Sequence, residues 1–100
     1  MKTFRTYRLA VEFYRLSRSL PVRGAIKEQL SRAALSVPLN LSEGRARPTR
    51  RDQLKFFHIA LGSVRECQTL LELADLTQSP AWLTLDKLGA SLYRLIERAT

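Results

Sequence analysis

Cysteine is nearly absent from this 100-residue chain: Cys67 stands alone. No disulfide can close within the chain, and a reducing compartment, the cytoplasm, is the expected setting. Histidine is as scarce, with His58 the only one. On one helix the two fall on different sides, so neither a nucleophile–base pair nor a metal cluster assembles within a single chain. His58 reads as a surface residue and Cys67 as a small packed hydrophobe. No phosphate-loop glycine pattern occurs, and the isolated Gly62 and Gly89 read as packing glycines. No apolar run approaches the about 18 residues that span a bilayer, and no apolar signal segment follows Met1-Lys2. These absences point away from an enzyme, a metalloprotein or a membrane protein, with no catalytic residue, metal or cofactor expected.

Acidic residues are also few, 9 against 17 Lys and Arg, for a net charge of +8. The excess is local. Residues 1–24 carry six basic residues and one acidic, and residues 45–51 carry four arginines; the remaining segments nearly cancel. Two basic patches of this kind favour a polyanionic partner, nucleic acid or an acidic protein surface.

Alternation of apolar and polar residues is missing too, whereas four windows repeat with helical spacing, so an all-α chain is expected, folded as one domain over 1–100. The first window, about Arg5 to Ser19, aligns Leu9, Phe13, Leu16 and Leu20 as its inward side. The second, about Ala25 to Glu43, stacks Ile26, Leu30, Ala33, Val37 and Leu41 and carries that rhythm straight through Pro38. A proline inside a helix removes a donor and crowds the preceding turn at about 3 kcal/mol or more, so helix two is expected to be kinked there. Asn40 and Glu43 project toward the core beyond the kink and, with Ser36, are candidates to satisfy the backbone around it. A buried catalytic acid is the other reading of Glu43, although it lacks a second group. Gly44 is the expected stop. Thr49 to Asp52 has the form of a capping box opening the third helix, which the pattern carries to about Leu76. Ser79-Pro80 marks the start of the fourth, whose Leu85, Leu88, Leu92, Leu95 and Ala99 form a coiled-coil-like seam. Short connections make an antiparallel up-down-up-down four-helix bundle the expected architecture.

A chain of this size buries only about two thirds of its unfolded surface, so association with further copies would help it. Surplus apolar ridges offer the contacts. Leu35 and Leu39 on helix two, and Phe56, Ala60, Cys67 and Leu70 on helix three, are the candidate oligomer interface.

The basic patches are the candidate binding site. Arg45, Arg47, Arg50 and Arg51, with Lys55 one turn on, crowd the start of helix three, where the helix dipole also favours anions. Arg5, Arg8, Arg15 and Arg18 on helix one stand beside Tyr7 and Tyr14, a mixture that suits phosphate contact with stacking on unpaired bases, or a protein interface. A merely solvated loop is the plainer reading of the first cluster.

The run Ser36-Val37-Pro38-Leu39-Asn40-Leu41-Ser42-Glu43-Gly44, with Lys55 to Glu66 and the Phe4-Arg5 and Tyr14 to Pro21 segments, resembles the proteins encoded in intervening sequences of bacterial large-subunit ribosomal RNA genes. The resemblance implies an antiparallel four-helix bundle that assembles as a homopentamer without enzymatic activity. The accessory proteins of diversity-generating retroelements are similar in architecture, which adds a reverse transcriptase and nucleic acid, RNA favoured, to the implied partners. Helix one is shorter than in that family and lacks its early tryptophan. The reading that follows is an oligomeric, non-catalytic RNA-binding module; the alternative is a scaffold whose basic surface docks an acidic protein.

Overall fold

The computed structural model describes the backbone from Lys2 to Thr100 and the side chains from Phe4 onward. Its described residues form four helices: α1 (Lys2–Ser17), α2 (Gly24–Arg45), α3 (Arg50–Leu73) and α4 (Pro80–Ala99). The turns at 18–23, 46–49 and 74–79 are too short to do anything but send each helix back along its predecessor. Each helix packs on its two neighbours in a ring, with α1 closing onto α4, and the diagonal pairs approach only through side chains in the core. The bundle measures 39 × 21 × 18 Å. No described helix is long and apolar enough to cross a membrane.

The helix boundaries follow from local chemistry. Thr49 lies in extended backbone, and its Oγ1 accepts the Asp52 N–H at 3.2 Å, capping α3. Ser79 does the same for α4, accepting the Trp82 N–H at 3.3 Å, with Pro80 in the first turn. At the other end of α3, Asp75 takes φ 58° and the Leu76 N–H reaches back to the Leu71 carbonyl at 2.8 Å. That left-handed closure ends the helix at Leu73, short of the Leu76 that the apolar pattern suggests.

Helix α2 runs unbroken past Pro38, which is buried. It also runs past Gly44, the expected stop, and ends one residue later. Gly44 is inside the helix and buried because α3 lies against it: a Cβ there would stand 2.8 Å from Phe57 Cε1 and 3.0 Å from Phe56 Cβ. Its role is close approach. The helix ends instead ahead of Pro48, whose ring disfavours helical backbone at Arg47.

The core confirms the stripes on α2 and α4 and corrects the one on α1. Leu30, Ala33, Val37 and Leu41 of α2 meet Leu85, Leu88 and Leu92 of α4 and Phe57, Val64 and Leu71 of α3 in one cluster. Each large aliphatic side chain buried there contributes about 1.5–3 kcal/mol. On α1, however, the buried set is Thr6, Ala10, Phe13 and Ser17, while Leu9, Leu16 and Leu20 only lean on the cluster's edge. Thr6 and Ser91 of α4 explain the difference. Their hydroxyls lie 2.6 Å apart and bond each other, so two polar residues enter the core without a large desolvation cost. Small side chains on both helices then allow close packing.

Three of the expected interface residues belong to this same core. Ala60 and Cys67 are fully buried and Leu70 nearly so, and none is available to another copy. Their stripe on α3 faces inward because α3 is clasped between α2 and α4. Leu35 and Leu39 do point outward, at 42% and 59% exposure. Burial also pushes the Cys67 thiol up to about 12, with Glu66 adding a smaller push in the same direction, so the sulfur stays protonated and behaves as a hydrophobe.

Candidate nucleic-acid interface

The linker between α2 and α3 is tightly held. Arg47 N–H bonds the Gly44 carbonyl at 3.1 Å, and Gln53 Nε2 donates to the Arg47 carbonyl at 3.0 Å, so the four linker residues are tied to both helices. Gly44 lets Phe56 and Phe57 come close underneath. The arginines here are therefore carried by fixed backbone.

Aromatic rings position several of the cations. The Arg47 guanidinium sits 4.9 Å from the centre of the Phe56 ring, with Lys55 Nζ 5.7 Å from the same ring. Arg45 lies 5.7 Å over Tyr7, which joins the end of α2 to the first turns of α1, and Arg8 lies 5.7 Å over Phe4. Such contacts contribute about 0.5–1 kcal/mol at exposed sites and narrow the directions a long side chain explores. They also cover ring faces. Phe56 and Tyr7 hold cations, so this end offers charge for phosphates more than open rings for bases.

Glu43 is not buried. It is 48% exposed and pairs with Arg47 one turn on, Oε2 to Nη2 at 2.5 Å. An exposed pair of this type contributes a few tenths of a kcal/mol. Neither a core carboxylate near Pro38 nor a buried catalytic acid describes it, because the ending helix turns this position to solvent. Ser36 and Asn40 do sit beside Pro38: Asn40 Nδ2 donates to the Ser36 carbonyl at 2.9 Å and to its Oγ at 3.0 Å, and Ser63 Oγ of α3 donates to the same Oγ at 2.8 Å. That chain ties α2 to α3 next to the proline.

Antiparallel topology sorts the charges further than the sequence does. The start of α1, the end of α2, the start of α3 and the end of α4 share one end of the bundle. In the half holding residues 4–8, 37–63 and 90–100, nine basic residues face three acidic ones. In the half holding residues 9–36 and 64–89, seven basic residues face six acidic ones. The linker end is strongly positive, and the opposite end is nearly neutral. Two helix starts and two helix ends meet there, so their dipoles largely offset and side chains set the potential.

Of the residues singled out in the sequence, Arg5, Arg8, Arg45, Arg47, Arg50, Arg51 and Lys55 are brought to that end. Arg15 and Arg18 are not: they lie toward the far end of α1, Arg18 over Tyr14 at 5.9 Å. Arg94 and Arg98 of α4 join the linker end, and sequence reading overlooks them because their segment is almost neutral. The only available signal was the topology itself, which returns the end of α4 to the start of α1.

The family model of the 23S rRNA-intervening sequence protein matches residues 4–96, and the chain belongs to that family. Comparison with curated proteins finds no match, and comparison with solved structures finds none either.

Proposed function

We propose that this member of the family is a non-catalytic, oligomeric RNA-binding module that grips the phosphate backbone with the linker end of its bundle. One observation carries the reading: the convergence of nine basic side chains from all four helices and the α2–α3 linker on one end, several of them braced on aromatic rings. Phosphate contacts of this kind bring affinity without reading sequence. The braced rings favour backbone contact over base stacking, so duplex RNA, with its higher charge density, binds at least as tightly as a single strand of equal length.

The test is binding of a labelled generic RNA across a salt series. Arg47, Arg50 and Arg51 changed together to Glu reduce affinity by at least about 100-fold and flatten the dependence of log K on log salt by about 2, since three contacts to single-stranded RNA are removed. Salt-insensitive binding, or no binding at low salt, rejects the proposal.

Self-association is the second part of the reading. Leu35 and Leu39 are exposed on α2 and Ile59, 44% exposed, on α3, and Gly62, one turn on from Ile59, has nothing beyond its own helix backbone within 4 Å of where a Cβ would stand. An exposed glycine inside a helix costs about 1 kcal/mol relative to alanine, and a neighbouring backbone packed against it would offset that cost. Light scattering is expected to give a mass near five chains of 11.4 kDa each. A monomer at micromolar concentration removes this part. The likeness to retroelement accessory proteins extends the reading to a subunit that assists a reverse transcriptase, and an adjacent reverse-transcriptase gene is the observation that supports it over an isolated RNA binder.

A further inference from the structure

The outward side of α1 carries an apolar seam that the bundle covers only in part. Phe4, Tyr7, Val11 and Tyr14 follow spacings of three, four and three, the rhythm by which one helix receives another. The inward stripe of the same helix is a different set, from Thr6 to Ser17. Phe4 is 48% exposed, and Tyr7 and Val11 are half-buried. An open groove of about 990 Å³ runs along this side from Phe4 to Leu16, with Lys87 of α4 at its margin. Its ionisable lining is one-sided: Arg5, Arg8, Arg15 and Lys87 against Glu12. Arg8 and Arg15 stand seven residues apart along one edge of the seam, the flanking position whose charge selects a partner helix.

We propose that this face docks an amphipathic helix of another protein, with an apolar seam flanked by glutamate or aspartate. The groove follows α1 and holds Phe4, Tyr7 and Val11, with Tyr14 continuing the same rhythm just beyond it, a pattern that favours a helical occupant. Its rim is cationic, which specifies an acidic one. A phosphate backbone has nothing to cover Phe4 and Val11, and a second copy docked through this same face would set Arg8 and Arg15 against their own equivalents. Phe4, Arg5, Tyr7 and Arg8 border both this groove and the RNA surface, whereas Arg47, Arg50 and Arg51 lie outside the groove, so the linker triple separates the two readings.

The test uses the full chain and a labelled heptad peptide with leucine at its a and d positions and glutamate at e and g. A scrambled peptide of the same composition and a version with lysine at e and g are the controls. The glutamate heptad is expected to bind at least about tenfold tighter than either control by fluorescence anisotropy. Val11→Glu, and Arg8→Glu with Arg15→Glu, each weaken it about tenfold, while R47E/R50E/R51E leaves it unchanged. The Arg8/Arg15 reversal captures the lysine heptad instead, which shows that the variant is folded. Equal binding of the scrambled peptide overturns the proposal, as does failure of the reversed variant to take the lysine heptad. Loss of peptide binding in R47E/R50E/R51E also overturns it, by assigning the peptide to the RNA site. Absence of peptide binding together with a smaller light-scattering mass for Val11→Glu overturns it in favour of a second copy on this face.

Discussion

The linker end and the opposite end of this bundle are made from the same four helices and joined by turns of similar length, yet one holds nine basic residues against three acidic ones and the other seven against six. At the linker end the cations are braced: Arg47 and Lys55 on Phe56, Arg45 on Tyr7, Arg8 on Phe4. The opposite end closes with the capped turn around Asp75 and Ser79, where glutamates and aspartates balance the arginines. Packing alone would not require this asymmetry, since all four helices bury their stripes along their whole length. That difference is the ground on which the proposed RNA interface rests.

The comparison breaks most visibly through charge reversal at the opposite end. Arg18, Arg23 and Lys27 changed to Glu alter net charge as much as the linker-end triple does. RNA affinity is nevertheless expected to fall by no more than about threefold, against at least about 100-fold for R47E/R50E/R51E, because phosphate contacts act locally at physiological salt. Equal losses from the two triples would mean that net charge, not the linker end, holds the RNA.

Gly44 is the packing support of the linker end. Gly44→Ala places a methyl within 3 Å of Phe57 and against Phe56, and urea denaturation is expected to show a loss of about 1–3 kcal/mol. RNA affinity should drop with it, since Phe56 carries Arg47 and Lys55. Cys67 gives the other half of the bundle its own signature. Its folded pKa, about 12, lies above the ordinary 9.0, so the folded state holds the proton more tightly than the unfolded chain. Its contribution to stability is complete below pH 9 and declines as pH rises toward 12, by about 1.4 kcal/mol per pH unit. Cys67→Ala should flatten the fall in unfolding free energy between pH 9 and 11; an unchanged slope assigns that fall to other groups. The smallest effect belongs to Gly62. At concentrations where the chain is monomeric, Gly62→Ala should raise stability by about 1 kcal/mol, and the same change should lower the assembled mass if a neighbour packs there.

Helix by helix, what was legible in the sequence follows from where a local cause operates. Thr49 and Ser79 announced their helices because a cap is a contact between residues three apart. The α4 seam was legible because five aliphatic positions repeat without competition. On α1 the same reasoning chose the larger residues, Leu9, Leu16 and Leu20, and missed Thr6, Ala10 and Ser17, since the hydrogen bond that admits Thr6 to the core comes from Ser91, 85 residues away. Ala60, Cys67 and Leu70 looked surplus for a related reason. A half-apolar α3 reads as two-sided, and only its position between α2 and α4 shows that both sides are used inside one chain.

Composition and spacing by themselves determined that this chain forms helices, where two of them begin, and that its charge excess lies in two short segments, because these depend on neighbours a turn or two apart. Tertiary structure decided which face of α1 turns inward, that Gly44 serves close approach and not termination, and that Glu43 belongs to solvent. It also decided which cations gather at one end. Arg94 and Arg98 join Arg5, Arg45 and Arg50 only because antiparallel packing returns the end of α4 to the start of α1, and a charge pattern read along the chain holds no record of that distance.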